Sequence, residues 1–240
     1  MASARPCVLV HGGWCGGWHW DEVATRLRAQ GLRVETPTLP GMAERAHEAT
    51  PETGLHAHVD DVAALIESEN LRDVVLVGHS YGGAVVTGVA HRCNGRIAEL
   101  VYLDGFVPRH GESLADILGA DFVEASRAAA RAAGTPHLIP PMFSVEASVG
   151  WTGQRAADHA ARMCSQPIAT AFDRTHAPGP LAARRSFIAC TAQPLGLFDR
   201  YIAEARASAE WLYFELPCPH DAVHTMPAAV AGIIETLATP

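Results

Sequence analysis

Residues 74–83 read VVLVGHSYGG, four apolar β-forming residues followed by a Gly-x-Ser-x-Gly turn. An uninterrupted apolar run of this kind is typical of a parallel strand that is covered on both faces. Gly78 and Gly82 flank Ser80 without Cβ atoms, so the backbone can turn sharply there and hold the serine in a strained conformation. A helix beginning near Tyr81 would aim its unpaired N–H groups at the same place. The stretch predicts a nucleophile elbow with an exposed Ser80 hydroxyl; the alternative is a glycine-rich turn with an ordinary serine.

The composition bounds the class of protein. A chain of 240 residues, 48% of them hydrophobic, can build a sizeable core, and this excludes a disordered chain. The net charge of −8 argues against nucleic acid or an anionic membrane as a partner, because either would need a basic face. All 18 basic residues are arginine, which excludes a Schiff-base lysine and a phosphate-binding lysine loop.

The cysteines and the N-terminal residues indicate the cellular compartment in which the protein is expected. The six cysteines show no C-x-x-C spacing, and the first six residues lack the apolar region of a signal peptide. No apolar run approaches the roughly 20 residues of a membrane span. We therefore expect reduced thiols in a cytoplasmic protein.

Strand and helix patterns alternate along the chain. Besides the elbow strand, strands are predicted at 7–10, 32–35, 97–103, 185–191 and 211–216, with helical patterns between them. This alternation predicts an α/β fold with a doubly wound, mostly parallel sheet, whose ligands bind at the carboxyl ends of the strands. Between 108 and 184 the pattern changes to short helical pieces with no evident strand. We predict a core of residues 1–107 and 185–240, with residues 108–184 forming a helical cap over the catalytic end.

A second glycine-rich turn follows the first strand. Residues 11–14 read HGGW, and the absence of side chains at Gly12 and Gly13 would let a substrate oxygen approach a main-chain N–H. The N–H groups of Gly13 and Tyr81 are thus candidates for an oxyanion hole, although such a turn can also serve only to permit a positive φ. His11 is expected to be a hydrogen-bonding core residue.

The candidate pocket residues are apolar or small. They are Gly12 and Trp14 beside the first turn, and Phe122, Leu138, Met142, Phe143 and Trp151 in the cap. The alternative for most of the cap residues is that they pack the cap against the core.

Two histidine pairs are candidate metal ligands. Residues 217–227 read PCPHDAVHTMP, and the spacing of His220 and His224 is that of an H-E-x-x-H zinc helix with aspartate in place of glutamate. Prolines bracket the segment, so no helix can place both histidines on one face, and we predict no metal site. His56 and His58 are expected to be solvated residues at a helix start.

Taken together, these motifs resemble the α/β-hydrolase superfamily, in particular its small plant-type esterase and hydroxynitrile lyase branch. The resemblance spans almost the whole chain, from HGGW through GHSYGG and the cap to the His220 loop. It implies Ser80 as the nucleophile, His220 as the general base, and the Gly13 and Tyr81 N–H groups as the oxyanion hole. His220 is preferred to His224 because the family's histidine usually precedes a proline, here Pro227, by seven residues.

The acid of the triad departs from the family pattern. Most members carry it shortly after the strand at 185–191, where this chain reads AQPLG, without a carboxylate before Asp199. Asp104, at the end of the strand after the elbow helix, is the best replacement, since dehalogenases and lipases of the same fold keep their acid there. Asp199 is the next candidate for the acid. The alternative role of Asp104 is structural, as a hydrogen-bonding residue at the turn that enters the helical cap.

The resemblance implies acyl transfer on a small hydrophobic or aromatic carboxylic ester or lactone, without metal or cofactor. A hydroxynitrile lyase is disfavoured, because that branch has threonine and lysine where Gly12 and Asp221 stand. A ligand receptor or cyclisation scaffold on the same fold stays open. The expected partner is a small-molecule ester, and the oligomeric state is left open, with a homodimer among the options.

Overall fold

The computed structural model describes residues 4–192 and 195–239. In this part of the chain the strands are β1 Cys7–Val10, β2 Val34–Glu35, β3 Val74–His79, β4 Ile97–Leu103, β5 Leu138–Ile139, β6 Gln166–Pro167, β7 Arg184–Cys190 and β8 Trp211–Leu216. Six of them form one sheet in the order β2-β1-β3-β4-β7-β8, and each neighbouring pair is parallel. The predicted α/β fold with a doubly wound parallel sheet is confirmed.

The helices connect these strands across both faces of the sheet. They are α1 Asp21–Ala29, α2 Leu55–Ser68, α3 Gly82–Arg92, α4 Leu114–Ala132, α5 Val145–Val149, α6 Gly153–Ala160, α7 Asp199–Ala207, α8 Ala222–Thr225 and α9 Pro227–Ala238. Short 3-10 turns lie at Gly17–Trp20, Ala43–Glu48 and Ile168–Ala171. Within the described residues, no helix combines the length and apolar character needed to cross a bilayer.

Strand β3 is central and completely buried, which explains why its sequence does not alternate. Its side chains enter two separate cores. Val74 and Leu76 pack on the face covered by α2 and α3. Val75 and Val77 pack on the opposite face, under α1 and α9. Both faces therefore remove apolar surface from water, which stabilises the strand that carries the elbow.

The turn after β3 holds Ser80 at φ +52°, in the left-handed region. Its N–H donates to the Leu103 carbonyl at 3.2 Å, and its carbonyl accepts from the Phe106 N–H at 3.1 Å. A Cβ at Gly78 would lie 2.4 Å from the carbonyl oxygen of Gly82, so this turn closes only with glycine. The strained serine predicted from the motif is therefore present, and the surrounding backbone over-determines it.

The segment between β4 and β7 contains α4, α5 and α6. Helix α4 begins with a capping box between Ser113 and Asp116 and bends at Gly119, where φ is +83°. The prediction that this segment lacks strands is wrong, because β5 and β6 form a small antiparallel pair in which Ile139 faces Gln166. Each strand has two residues, too few for an alternating pattern, and the partners are far apart in sequence.

Two helix glycines give a matched test of the packing around the elbow. A Cβ at Gly83 would lie 2.4 Å from the Phe106 carbonyl oxygen, whereas one at Gly232 in α9 would meet no atom within 4 Å. We expect Gly83→Ala to lower the free energy of unfolding by about 1–3 kcal/mol. Gly232→Ala is expected to raise it by about 0.5–1 kcal/mol, the ordinary helix preference for alanine. Urea titration measures both, and a Gly83→Ala protein as stable as the wild type would contradict this packing.

Candidate active site

Three strand ends deliver the residues predicted to form the triad. Ser80 follows β3, Asp104 follows β4, and His220 lies in the loop after β8. Because β3, β4 and β8 belong to one parallel sheet, their carboxyl ends lie at the same edge. Ser80 and His220 border one cavity there.

Asp104 and His220 are joined directly. The Nδ1 atom of His220 lies 2.6 Å from Oδ2 of Asp104, and both side chains are more than nine-tenths buried. The other carboxylate oxygen accepts from the Cys190 N–H at 3.2 Å, and the Asp104 N–H donates to the Ile188 carbonyl at 2.8 Å. These two hydrogen bonds to β7 hold the main chain and the carboxylate of Asp104 in place. A carboxylate facing Nδ1 places the proton on that nitrogen and leaves Nε2 as an acceptor.

His220 is also held from the side. The Phe198 ring stacks on it with centroids 5.2 Å apart and an interplanar angle of 12°. Asp199, the other candidate acid, is the next residue, but it is exposed at the start of α7. The structure therefore brings Asp104 to His220 and leaves Asp199 at the surface.

The N–H groups of Gly13 and Tyr81 are the main-chain donors predicted to form the oxyanion hole at the elbow. Among the described residues, neither the Gly13 nor the Tyr81 N–H donates to a protein acceptor. The loop that carries Gly13 lies against the serine, since a Cβ at Gly12 would be 3.2 Å from Cβ of Ser80. Trp14, the next residue, has φ +61°, in the left-handed region. The two N–H groups are free to bind an oxyanion.

Tyr81 is fixed by a histidine whose role the sequence did not indicate. The Nε2–H of His58 donates to the Pro40 carbonyl at 2.9 Å, so its Nδ1 accepts from the Tyr81 hydroxyl at 2.7 Å. Burial lowers the pKa of His58 to about 4 and keeps the ring neutral. The expectation that His58 is solvated is wrong, whereas His56 is exposed as expected.

His11 has the expected structural role. Its Nε2 accepts from the Leu39 N–H at 3.1 Å, and its Nδ1 donates to the Gly12 carbonyl at 2.8 Å. Burial lowers the pKa of His11 to about 3, so the neutral ring serves as a fixed support for the glycine loop.

A row of buried histidines continues behind His220. The His79 ring lies 4.7 Å from the His220 ring and 5.0 Å from the His19 ring, centroid to centroid. Burial, together with these two neighbours, lowers the pKa of His79 well below its usual range. Asp221 accepts from both His19 Nε2 and His224 Nδ1 at 3.1 Å. Burial alone would raise the pKa of Asp221, but these two histidines hold it well below its usual range.

His19, Asp221 and His224 offer ligand atoms that lie within 4.8 Å of one another, as a metal site would require. A metal-bound imidazole usually donates its second N–H to an acceptor, but within the described chain Nδ1 of His19 has no partner. Asp221 also caps α8 by accepting the His224 N–H at 3.3 Å. The cluster fits an anchor for the His220 loop better than a metal centre. The zinc-like spacing of His220 and His224 is not used as a pair, because His220 faces Asp104.

The cavity above Ser80 is mostly apolar. Of the predicted pocket residues, Gly12, Trp14, Phe122 and Phe143 border it, together with the oxyanion-hole candidates Gly13 and Tyr81. Its apolar wall also includes Phe106, Leu114, Leu118 and Leu197.

Some of the predicted wall residues do not border the cavity within the described part of the chain. They are Leu138, Met142 and Trp151. Phe143 occupies the wall beside Met142 and meets Trp14 edge to face at 5.7 Å. Trp151 instead packs under the Arg155 guanidinium, 3.5 Å from its ring centroid, and contacts the His159 ring. Leu138 lies on the two-residue strand β5, and Met142, Phe143 and Trp151 lie outside helices and strands, so no sequence period indicates which of them faces inward.

The polar residues at the cavity that were not predicted include His19, His159 and Gln166. None belongs to a motif, and each reaches the cavity through tertiary packing alone. Of the family's usual acid segment, Gln193 and Pro194 lie outside the described residues.

Comparison with known proteins agrees with this geometry. A family model described as "Alpha/beta hydrolase family" matches residues 7–233. The chain is 38% identical to a carbendazim hydrolyzing esterase from a Nocardioides species, over 96% of this chain and 98% of that protein. It is 31% identical to Methylesterase 10 of Arabidopsis thaliana over 105 residues, which cover 43% of this chain and 38% of the relative. An extracellular alpha/beta-hydrolase from a Paenibacillus species superposes with a TM-score of 0.83 at 23% identity, covering 98% of this chain and all of that one.

Proposed function

The chain belongs to the alpha/beta hydrolase family and is a hydrolase, and on that premise we propose that it cleaves carboxylic esters through an acyl-enzyme on Ser80. The observation that carries the proposal is the 2.6 Å contact between Asp104 and His220 at the sheet edge where Ser80 lies. The two free N–H groups of Gly13 and Tyr81 at the same edge support it. The esterase at 38% identity and the plant methylesterases resemble the chain and favour the same reaction class.

The chemistry follows from the Asp104 contact, which fixes the tautomer of His220. With its proton on Nδ1, Nε2 accepts the Ser80 proton as the hydroxyl attacks the ester carbonyl. Gly13 and Tyr81 donate to the oxyanion, and Asp104 stabilises the imidazolium that forms. His220 then protonates the departing alkoxide. Water attacks the acyl-enzyme by the same steps and releases the acid.

The wall of the cavity favours a small hydrophobic or aromatic ester. Phe106, Phe122 and Phe143 offer aromatic surface to the acyl or alkyl group. In the described part of the wall no lysine or arginine is present that would recognise an anionic substrate. This supports an apolar substrate held by burial rather than by charge.

Hydrolysis of p-nitrophenyl butyrate by the purified protein tests the proposal. We expect saturable turnover that an organophosphate abolishes at one equivalent per chain. Binding of apolar ligands without any turnover would instead favour the receptor or scaffold interpretation.

The acid assignment makes a separate prediction. Asp104→Asn keeps the size of the side chain but removes the charge that orients His220, so kcat should fall by at least about a hundredfold. Asp199→Asn, at an exposed position, is the matched control and should stay within a few-fold of the wild type. Steady-state kinetics with thermal melts of both variants separates the roles, since a merely structural Asp104 would tolerate asparagine. A crippled Asp199→Asn protein would move the acid to that residue.

A further inference from the structure

Helix α6, in the segment between β4 and β7, buries a histidine rather than an apolar residue. The buried residue of this helix is His159, which is 7% exposed and borders the cavity above Ser80. The alanines of α6 are exposed or half-buried instead. Burying an imidazole costs free energy unless its nitrogens are hydrogen-bonded. The position of His159 therefore raises the question of what its ring nitrogens bind.

The neighbours of His159 are aromatic rings. Its ring lies 5.5 Å from the Trp18 ring, 5.7 Å from the Trp151 ring and 4.8 Å from the His224 ring, centroid to centroid. Among the described residues no group hydrogen-bonds to either of its ring nitrogens. Burial and the nearby His224 lower the pKa of His159 to about 4. The neutral ring thus presents one N–H donor and one acceptor that the described side chains leave unpaired.

His159 belongs to a polar end of the cavity beside the His220 loop. Asp221, the residue after His220, accepts from His19 at 3.1 Å and donates its N–H to the Ser148 carbonyl at 2.9 Å. The His159 ring adjoins this group through the His224 ring. The polar end consists of the members of this group that border the cavity, namely His19, Ser148, His159 and Asp221.

The proposed mechanism brings the alcohol half of the ester toward this end. His220 gives its proton to the departing alkoxide, so the alcohol half has to lie beside His220. A neutral hydroxyl group fits there better than a charged group. The Asp221 carboxylate repels an anion, and His19 and His224 already bond it, which leaves it little to offer a cation.

We propose that His159 selects esters whose alcohol half carries a second, free hydroxyl group, such as monoesters of glycols. The inference rests on the proposed serine esterase function and narrows its substrate class. The free hydroxyl pairs with a ring nitrogen of His159, while the acyl half packs on the apolar wall that includes Phe122 and Phe143. An alkyl ester of the same length presents a methyl group and leaves the imidazole unpaired, which costs binding and transition-state stabilisation.

The reaction needs no reactant besides water. Ser80 Oγ bonds to the carbonyl carbon, and the ester bond to the glycol breaks as His220 protonates the departing oxygen. Water then cleaves the acyl-serine, which regenerates the Ser80 hydroxyl and releases the carboxylic acid.

The test compares two substrates that differ only in a terminal OH against CH₃, 2-hydroxyethyl phenylacetate and propyl phenylacetate. Both release phenylacetic acid, which is titrated at constant pH, and kcat/KM is measured with the wild type and with His159→Phe. Phenylalanine keeps a ring among the aromatic neighbours but removes both nitrogens. We expect the variant to lose at least about tenfold on the hydroxyethyl ester. On the propyl ester it should stay within about threefold of the wild type or improve, because no unpaired imidazole remains.

Two further variants serve as controls, with thermal melts of all proteins. His159→Gln keeps a hydrogen-bonding amide, so its ratio of kcat/KM for the two esters should stay within about threefold of the wild-type ratio. His47→Phe makes the same substitution at a side chain that is 76% exposed and should alter the hydrolysis of neither ester.

Equal losses of His159→Phe on both esters, or an unchanged ratio, would overturn the role of His159. If that variant does not fold, the wild type decides, since equal kcat/KM values for the two esters would also overturn it. Failure of the proposed function would look different, because the wild type would then hydrolyse neither ester nor p-nitrophenyl butyrate.

Discussion

Replacing Ser80 with alanine is expected to lower kcat for ester hydrolysis by about a millionfold, to the level set by the oxyanion hole and binding alone. The reason is that the hydroxyl supplies the only bond to the acyl group in the proposed mechanism. The fold should survive, because the contacts that hold this turn come from the backbone of residue 80 and from Gly78. The measurement is steady-state turnover of p-nitrophenyl butyrate, accompanied by a thermal melt.

Ser148 provides the matched control for this change. It borders the same cavity, and its hydroxyl bonds only the Ser144 carbonyl among the residues that the structure describes. Ser148→Ala should therefore keep nearly full activity. If Ser80→Ala retained turnover comparable with the Ser148→Ala protein, the nucleophile would have to be sought elsewhere.

Replacing His220 with alanine is the second large effect, and we expect a loss in kcat close to that of Ser80→Ala, because the two residues act as one unit. His224→Ala should cost far less. His224 bonds Asp221 and contacts the His19 and His159 rings, but within the described residues it makes no hydrogen bond to Ser80, Asp104 or His220. Without His224, the Asp221 carboxylate still bonds His19 at 3.1 Å and still anchors the loop. Measuring kcat for p-nitrophenyl butyrate with both alanine variants ranks the two histidines.

The reverse ranking, with His224→Ala the more damaging variant, would move the base to that residue. It would also require a different acid, since the carboxylate beside His224 is Asp221 and not Asp104. The ranking therefore tests the base and the acid assignment together.

Much of the site could be predicted because its parts are local. A strand, a Gly-x-Ser-x-Gly turn and a helix are encoded in one stretch, so the position and strain of Ser80 follow from residues 74–83 alone. Asp104 could be chosen because it ends a strand that neighbours β3, and parallel strands end at one edge. The preference for His220 over His224 came from the family's spacing, and in the structure His220 is the residue that faces Asp104.

The remainder depends on contacts between distant segments. His58 looked like a solvated residue at a helix start, but its burial arises from Pro40 and Tyr81, which no local pattern links to it. Gln166 lies on a two-residue strand whose partner is 27 residues earlier in the chain, so neither the strand nor the side chain's direction is visible in the sequence. Met142 and Phe143 were both candidates, and no local pattern indicates that of the two it is Phe143 that borders the cavity.

The central claim is that Ser80 is the nucleophile that becomes covalently acylated. Labelling this nucleophile with an organophosphate, which forms a stable phosphoryl bond in place of the acyl bond, tests the claim most directly. The protein is incubated with diethyl p-nitrophenyl phosphate, the released p-nitrophenolate is counted, and the digested chain is mapped by mass spectrometry. We expect one equivalent of p-nitrophenolate per chain, a diethylphosphoryl group on the peptide that contains Ser80, and loss of esterase activity in proportion. An adduct on another residue, or full inhibition with Ser80 unmodified, would contradict the account.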